Sequence, residues 1–233
     1  MTPKFTKAAI EDAFDLMGNI AAERGTVLEI AVYGGSCLML ASNLREASGD
    51  IDAVFLSDRT EVQQIADQVA KQLRMPEDWL NQAVKLFAPP KGNPPPTLLP
   101  FGDYPRDSSK GVGLRVHLPT PEYMLAMKIL SNRSESDLEK LQTDQNDAVA
   151  LMAITRLTTA EQLTDLLKQC YPQLPGMLIS TKLNPRLDAK IRTLTDAYAT
   201  HGAAANAAWH ARRGRPVGGI GDRCIPAVSG RLP

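Results

Sequence analysis

The stretch VLEIAVYGGSCLMLASNLREASGDIDAVFL, residues 27–56, decides how the rest of the chain is read. Residues 27–33 are mostly apolar, rich in β-branched side chains, and end on Gly34-Gly35, the pattern of a buried strand stopped by a turn. SCLMLASNL then reads as a short helix. Ser48 and Gly49 supply the next turn, and residues 51–56, IDAVFL, read as a second strand. Asp50 and Asp52 flank Ile51 at its entrance, so strand alternation places both carboxylates on one face while Ile51 enters the core.

Working outward, Phe5, Ala8, Ile10, Phe14, Leu16, Met17 and Ile20 recur at helical spacing, which predicts a helix over residues 5–24 that stops at Gly25. Downstream, a charged helix is expected over 60–73 and a short one over 79–84. Residues 88–113 gather Pro89, Pro90, Pro94, Pro95, Pro96, Pro100 and Pro105 and read as an exposed loop, since proline fits neither a helix interior nor a central strand. GLRVHL, residues 113–118, is the next strand. Thr120 then caps a helix over 122–132 with Pro121 at its first position. Further helices are expected over 137–142, 145–154, 158–170 and 187–199, the third with a capping box formed by Thr158 and Glu161. The fold class is therefore α+β with an α/β-type mixed sheet: a mixed half, residues 1–118, precedes a helical region, residues 119–200. Residues 201–233 carry Arg212, Arg213, Arg215, Arg223 and Arg231 against Asp222 and read as a flexible basic tail.

A chain of 233 residues with 43% hydrophobic side chains can fill a substantial core. Lys+Arg 26 against Asp+Glu 26 gives a net charge of +0, so a polyanion must be met by a local patch such as the tail arginines. Cys37, Cys170 and Cys224 are too few and too scattered for a disulfide framework, and none lies in a CxxC pair. With no signal-peptide core and no apolar run long enough to span a bilayer, the expectation is a cytoplasmic protein without a membrane partner.

Where a strand delivers the chain into a helix through Gly34-Gly35-Ser36, first-turn N–H groups and the helix dipole face an approaching anion. The same dipeptide also serves as an ordinary turn. Asp50 and Asp52 are two like charges that suit a hard divalent cation, with magnesium keeping several waters and sharing substrate phosphates. Two solvated acids at a strand entrance are the bland alternative. Residues 37–49 are enough for a short helix and a return, so the glycine turn and the acid pair can lie side by side. Arg45 then either neutralises phosphate or pairs with Asp50.

GGS followed by DID on a second strand resembles the signature of the polymerase beta-like nucleotidyltransferases. The later segments look like the AbiEii/AbiGii-type toxin branch: Lys128 and Arg133 in MKILSNR match its lysine–arginine motif, and Asp144 and Asp147 in TDQNDAVALM match its KDxxD-like motif. The resemblance covers roughly residues 27–155, without the proline-rich stretch. Thr143 stands where that third motif usually has lysine, and GLRVHL offers Arg115 and His117 where many polymerase-like enzymes carry a third carboxylate. His117 itself reads as a satisfied strand residue.

The resemblance implies a nucleotidyltransferase core completed by the helical region, with Mg2+ as cofactor and an NTP as donor. Asp50 and Asp52 would hold the metal, Gly35 and Ser36 the triphosphate, and Lys128 the nucleotide or its phosphates; Gly34, Arg45 and Arg133 are further candidates for nucleotide binding. Asp147, with Asp144 one turn away, would complete the catalytic set of Asp50, Asp52 and Lys128. The expected acceptor is an RNA, in particular a tRNA end, in a toxin paired with a cognate antitoxin protein. A catalytically weak nucleotide-binding or regulatory module, and nucleotidylation of protein or small molecules, are the alternatives.

Overall fold

The computed structural model describes residues 4–42, 45–86, 98–107, 111–131, 138–172, 178–179 and 182–213. Within these the chain is mixed α+β, with a five-stranded mixed sheet and seven α-helices among the described residues. Its described residues fall into two compact units, 4–85 with 98–118 in the first, and 119–213 with Leu86 in the second. Among the described residues no helix is long and apolar enough to cross a membrane.

The first unit opens with α1 (Lys7–Glu23), capped by the Thr6 hydroxyl, which accepts from Ala9 N–H. Strand β1 (Leu28–Val32) leads into α2 (Gly34–Ser42), then β2 (Ile51–Phe55) and α3 (Arg59–Leu73), whose Asp58 cap accepts from Glu61 N–H. β3 (Leu80–Asn81), β4 (Leu98–Tyr104) and β5 (Leu114–Pro119) complete the sheet in the order β3-β2-β1-β5-β4. β1 is antiparallel to β2, with Val32 opposite Ala53, and parallel to β5, with Ala31 opposite His117. One face of the sheet carries Leu28, Ile30, Val32, Ile51, Ala53, Leu114 and Val116, all buried. With Ile10, Phe14 and Met17 of α1 and Val62, Ile65 and Val69 of α3 they form the core of this unit. The other face carries Glu29, Arg115 and His117.

Two expectations change here. The helix expected over 79–84 is replaced by β3 followed by a 3-10 turn, Ala83–Leu86. Ile51 N–H donates to Trp79 O at 2.7 Å and the Trp79 indole donates to Ala66 O at 3.1 Å, so the packing of one buried tryptophan draws the backbone into the sheet. The expected loop over 88–113 contains β4, an edge strand, where Pro100 costs no ladder bond to an outer neighbour. Residues 88–97 lie outside the described residues.

The second unit contains α4 (Pro121–Leu130), α5 (Leu138–Thr155), α6 (Ala160–Cys170), the hairpin β6 (Leu178–Ile179) and β7 (Lys182–Leu183), and α7 (Pro185–Arg213). Thr120 caps α4, accepting from Tyr123 N–H, with Pro121 in the first turn as the sequence suggests. The two helices expected over 137–142 and 145–154 are one continuous α5. Thr143, Asp144 and Asn146 are weak helix formers, but Thr143 Oγ1 bonds back to Glu139 O and the aspartates are held on the buried side. The capping box of α6 is formed one residue later than expected, by Thr159 and Gln162. α7 continues to Arg213, well past residue 199 and into the stretch that composition marks as a tail. The tail beyond residue 213 lies outside the described residues.

Candidate active site

The antiparallel pairing of β1 and β2 sets the C-terminal end of one strand against the N-terminal end of the other. Tyr33 N–H donates to Asp52 O at 2.8 Å, which seats the glycine turn beside the acid pair. Gly34 opens α2 with φ of +64°, a left-handed conformation that favours glycine. A Cβ at Gly34 would lie 2.6 Å from Asp52 Oδ2, and one at Gly35 would lie 2.6 Å from an Arg45 guanidinium nitrogen. The two glycines thus leave room for a carboxylate and a guanidinium against the backbone. The N–H groups of Gly34, Gly35 and Ser36 belong to the first turn of α2, where a helix has no carbonyl one turn back to accept them.

Ser36 is buried, and its hydroxyl donates to Asp50 O at 2.6 Å. Its single proton is therefore engaged on the strand entrance, which leaves the backbone amides as the donors of the turn. Ser48 donates to the same Asp50 carbonyl at 2.9 Å, and Ser48 exchanges backbone hydrogen bonds with Phe5 at 2.7 and 3.0 Å. Asn81, which no motif singles out, donates from Nδ2 to Asp50 Oδ2 at 3.3 Å and is the register partner of Asp52. Asp50 is exposed and Asp52 half-buried.

The first unit thus gathers Gly34, Gly35, Ser36, Arg45, Asp50 and Asp52. Among the described residues no group of three or more histidine, cysteine and carboxylate side chains forms a metal cage. Two hard carboxylates beside the glycine turn suit magnesium, which takes one or two protein carboxylates and fills its remaining positions with water and substrate phosphate. Asp50 and Asp52 would hold that ion.

On β5, Arg115 lies opposite Glu29 and ion-pairs with it at 3.4 Å, while Asp103 is 3.9 Å away. His117 departs from its expected role as a satisfied strand residue. Its Nε2 is buried without a hydrogen-bond partner, and Glu29 Oε2 stands 3.9 Å off. The feature that would have drawn attention to it, the neighbouring Glu29, lies 88 positions earlier in the chain and is brought beside it only by the parallel pairing.

In the second unit, Lys128 Nζ donates to Asp144 Oδ1 at 2.5 Å and to Asp147 Oδ2 at 2.8 Å, and all three side chains are buried. The i, i+3 spacing of the aspartates brings both to one ammonium, so Lys128 and Asp147 stand together as a charge cluster. Lys190 of α7 closes the end of α4, donating to Lys128 O at 2.9 Å and to Ser131 O at 2.5 Å. Arg133 lies outside the described residues. Comparisons with protein-family models, curated proteins and solved structures return no match to this chain.

Proposed function

We propose that this chain is a magnesium-dependent nucleotidyltransferase that moves a nucleoside monophosphate from an NTP to an acceptor hydroxyl, with RNA, in particular a tRNA end, as the acceptor. The observation that carries this reading is the seating of Asp52 against Gly34, with Asp50 held at the same strand entrance. The motif resemblance supports the same reading, and extends it to a toxin held in check by an antitoxin protein.

In the proposed reaction the first-turn amides of α2 receive the outer phosphates, and Arg45 neutralises charge beside Gly35. The acceptor oxygen forms a bond to the α-phosphorus, the bond from that phosphorus to its bridging oxygen breaks, pyrophosphate leaves, and the hydroxyl proton passes to solvent. Bound by Asp50 and Asp52, magnesium would stabilise the charge on the transferring and leaving oxygens. The protein's share is positioning and fixed electrostatics, as expected for phosphoryl chemistry.

The test is incorporation of each of four α-labelled NTPs into small RNA and into total cell protein, with Mg2+, comparing wild type with Asp52→Asn. Label in RNA is expected, falling by about 100-fold or more in the variant. Equal labelling by the variant overturns the assignment. Label confined to protein changes the acceptor, and NTP binding without any transfer favours a binding module, a reading consistent with Arg115 and His117 occupying β5.

A further inference from the structure

Asn81 occupies a two-residue strand, and its side chain is fixed from one end. Its Oδ1 accepts the backbone N–H of Ala83 at 2.9 Å, at the start of the 3-10 turn. That bond decides the orientation of the amide, because the oxygen is engaged by a donor and the NH2 group is left to face the other way. The NH2 group meets Asp50 Oδ2 at 3.3 Å. Asp52 and Asn81 are register partners on parallel strands, so Asp50, Asp52 and Asn81 share one face of the sheet.

Asp50 sits in a bend before β2 and is exposed. Its backbone is nonetheless held by two hydroxyls, those of Ser36 and Ser48, on a single carbonyl. The peptide is fixed by the serines, and the carboxylate by Asn81. A carboxylate with one oxygen engaged by an amide meets a cation through the other oxygen, a mode suited to the short, strict octahedral distances of magnesium.

We infer that Asn81 is a positioning residue that orients the Asp50 carboxylate for a divalent cation. The inference rests on the nucleotidyltransferase reading and names a partner of the metal site beyond its two carboxylates. Residues in this position typically govern metal affinity by 10- to 100-fold, because an oriented ligand loses less freedom on binding.

The experiment titrates Mn2+ into the full chain, reading free Mn2+ by electron paramagnetic resonance, for wild type, Asn81→Ser and Asp52→Asn, with thermal unfolding of each. Serine keeps a short oxygen for Ala83 N–H but cannot reach Asp50. Asn81→Ser is expected to raise the Mn2+ Kd by about tenfold while Tm stays within about 2 °C of wild type. Asn81→Thr, which suits a strand, takes its place if the serine variant does not fold. Loss of Mn2+ by Asp52→Asn with undiminished binding by Asn81→Ser overturns the role of Asn81 alone. Equal Mn2+ binding by wild type and Asp52→Asn overturns the metal site and, with it, this inference.

Discussion

Lys128 separates two roles that its charge alone does not distinguish. A lysine that only meets phosphate at a surface contributes little to stability, whereas this ammonium is buried between Asp144 and Asp147. Removing it takes from two buried carboxylates the ammonium they share. Lys128→Met is expected to lower unfolding free energy by about 3–5 kcal/mol, read from urea denaturation. A cost below about 0.5 kcal/mol would show that the cluster contributes no stability. Any activity lost in that variant therefore has to be set against the folded fraction. At this scale the chain was readable where spacing alone decides. Asp144 and Asp147 are one helical turn apart in any α-helix, and Asp50 and Asp52 share a face in any strand. What spacing cannot give is which group a side chain finds across the fold. The Ser36 hydroxyl goes to the Asp50 carbonyl rather than outward, and Asn81 finds Asp50 only because a two-residue strand forms beside it.

Between elements, the contact of α4 with α6 carries a titratable signature. Burial pushes the Cys170 thiol up to about 11, with the Glu122 carboxylate adding to the shift. Burial likewise pushes Tyr123 up to about 12, partly offset by its hydrogen bond with Tyr171, whose ring centroid is 5.4 Å away. Both groups hold their protons more tightly folded than unfolded, so their contribution is fully present below about pH 9 and is lost as pH rises toward 11 and 12. Urea midpoints are expected to fall between pH 8.5 and 11, and Cys170→Ala should flatten the lower part of that fall. An unchanged slope in Cys170→Ala would remove the thiol from the account. The elements themselves were legible in proportion to their length and periodicity. α1, α3 and α4 fall close to their expected spans, and α4 begins at its expected cap. β3 is too short to carry a pattern, and the α6 box shifted because Thr158-Thr159 followed by Glu161-Gln162 offers the same motif in two frames, of which Gln162 takes the second by accepting from both threonine amides.

Across the whole molecule, equal numbers of basic and acidic side chains leave no overall field to draw in a polyanion, so the proposed RNA acceptor would have to be met by a local patch. Composition set the basic stretch apart at residue 201, yet α7 runs through that boundary to Arg213. Alanine-rich sequence lacks the apolar stripe by which an amphipathic helix is recognised, but alanine is itself the strongest helix former. A truncation that asks about the arginines should therefore begin after Arg213, because a cut at His201 also shortens a packed helix.

The placement of β1 in the middle of its sheet also sets an order in time. Its antiparallel partner β2 follows after one short helix, whereas Glu29 and Arg115, partners on β1 and β5, are 86 residues apart. Closing the longer loop costs more chain entropy, so the β1–β2 pair is expected to assemble before β5 joins it. Val32→Ala and Val116→Ala each remove buried methyls at a cost of about 2 kcal/mol. In stopped-flow measurements the first is expected mainly to slow folding and the second mainly to speed unfolding. Equal effects on both rates would place β5 in the nucleus. In the expected order, the glycine turn and the acid pair come together in an early intermediate arrangement of the chain, and the strand bearing Arg115 and His117 arrives at a scaffold already formed.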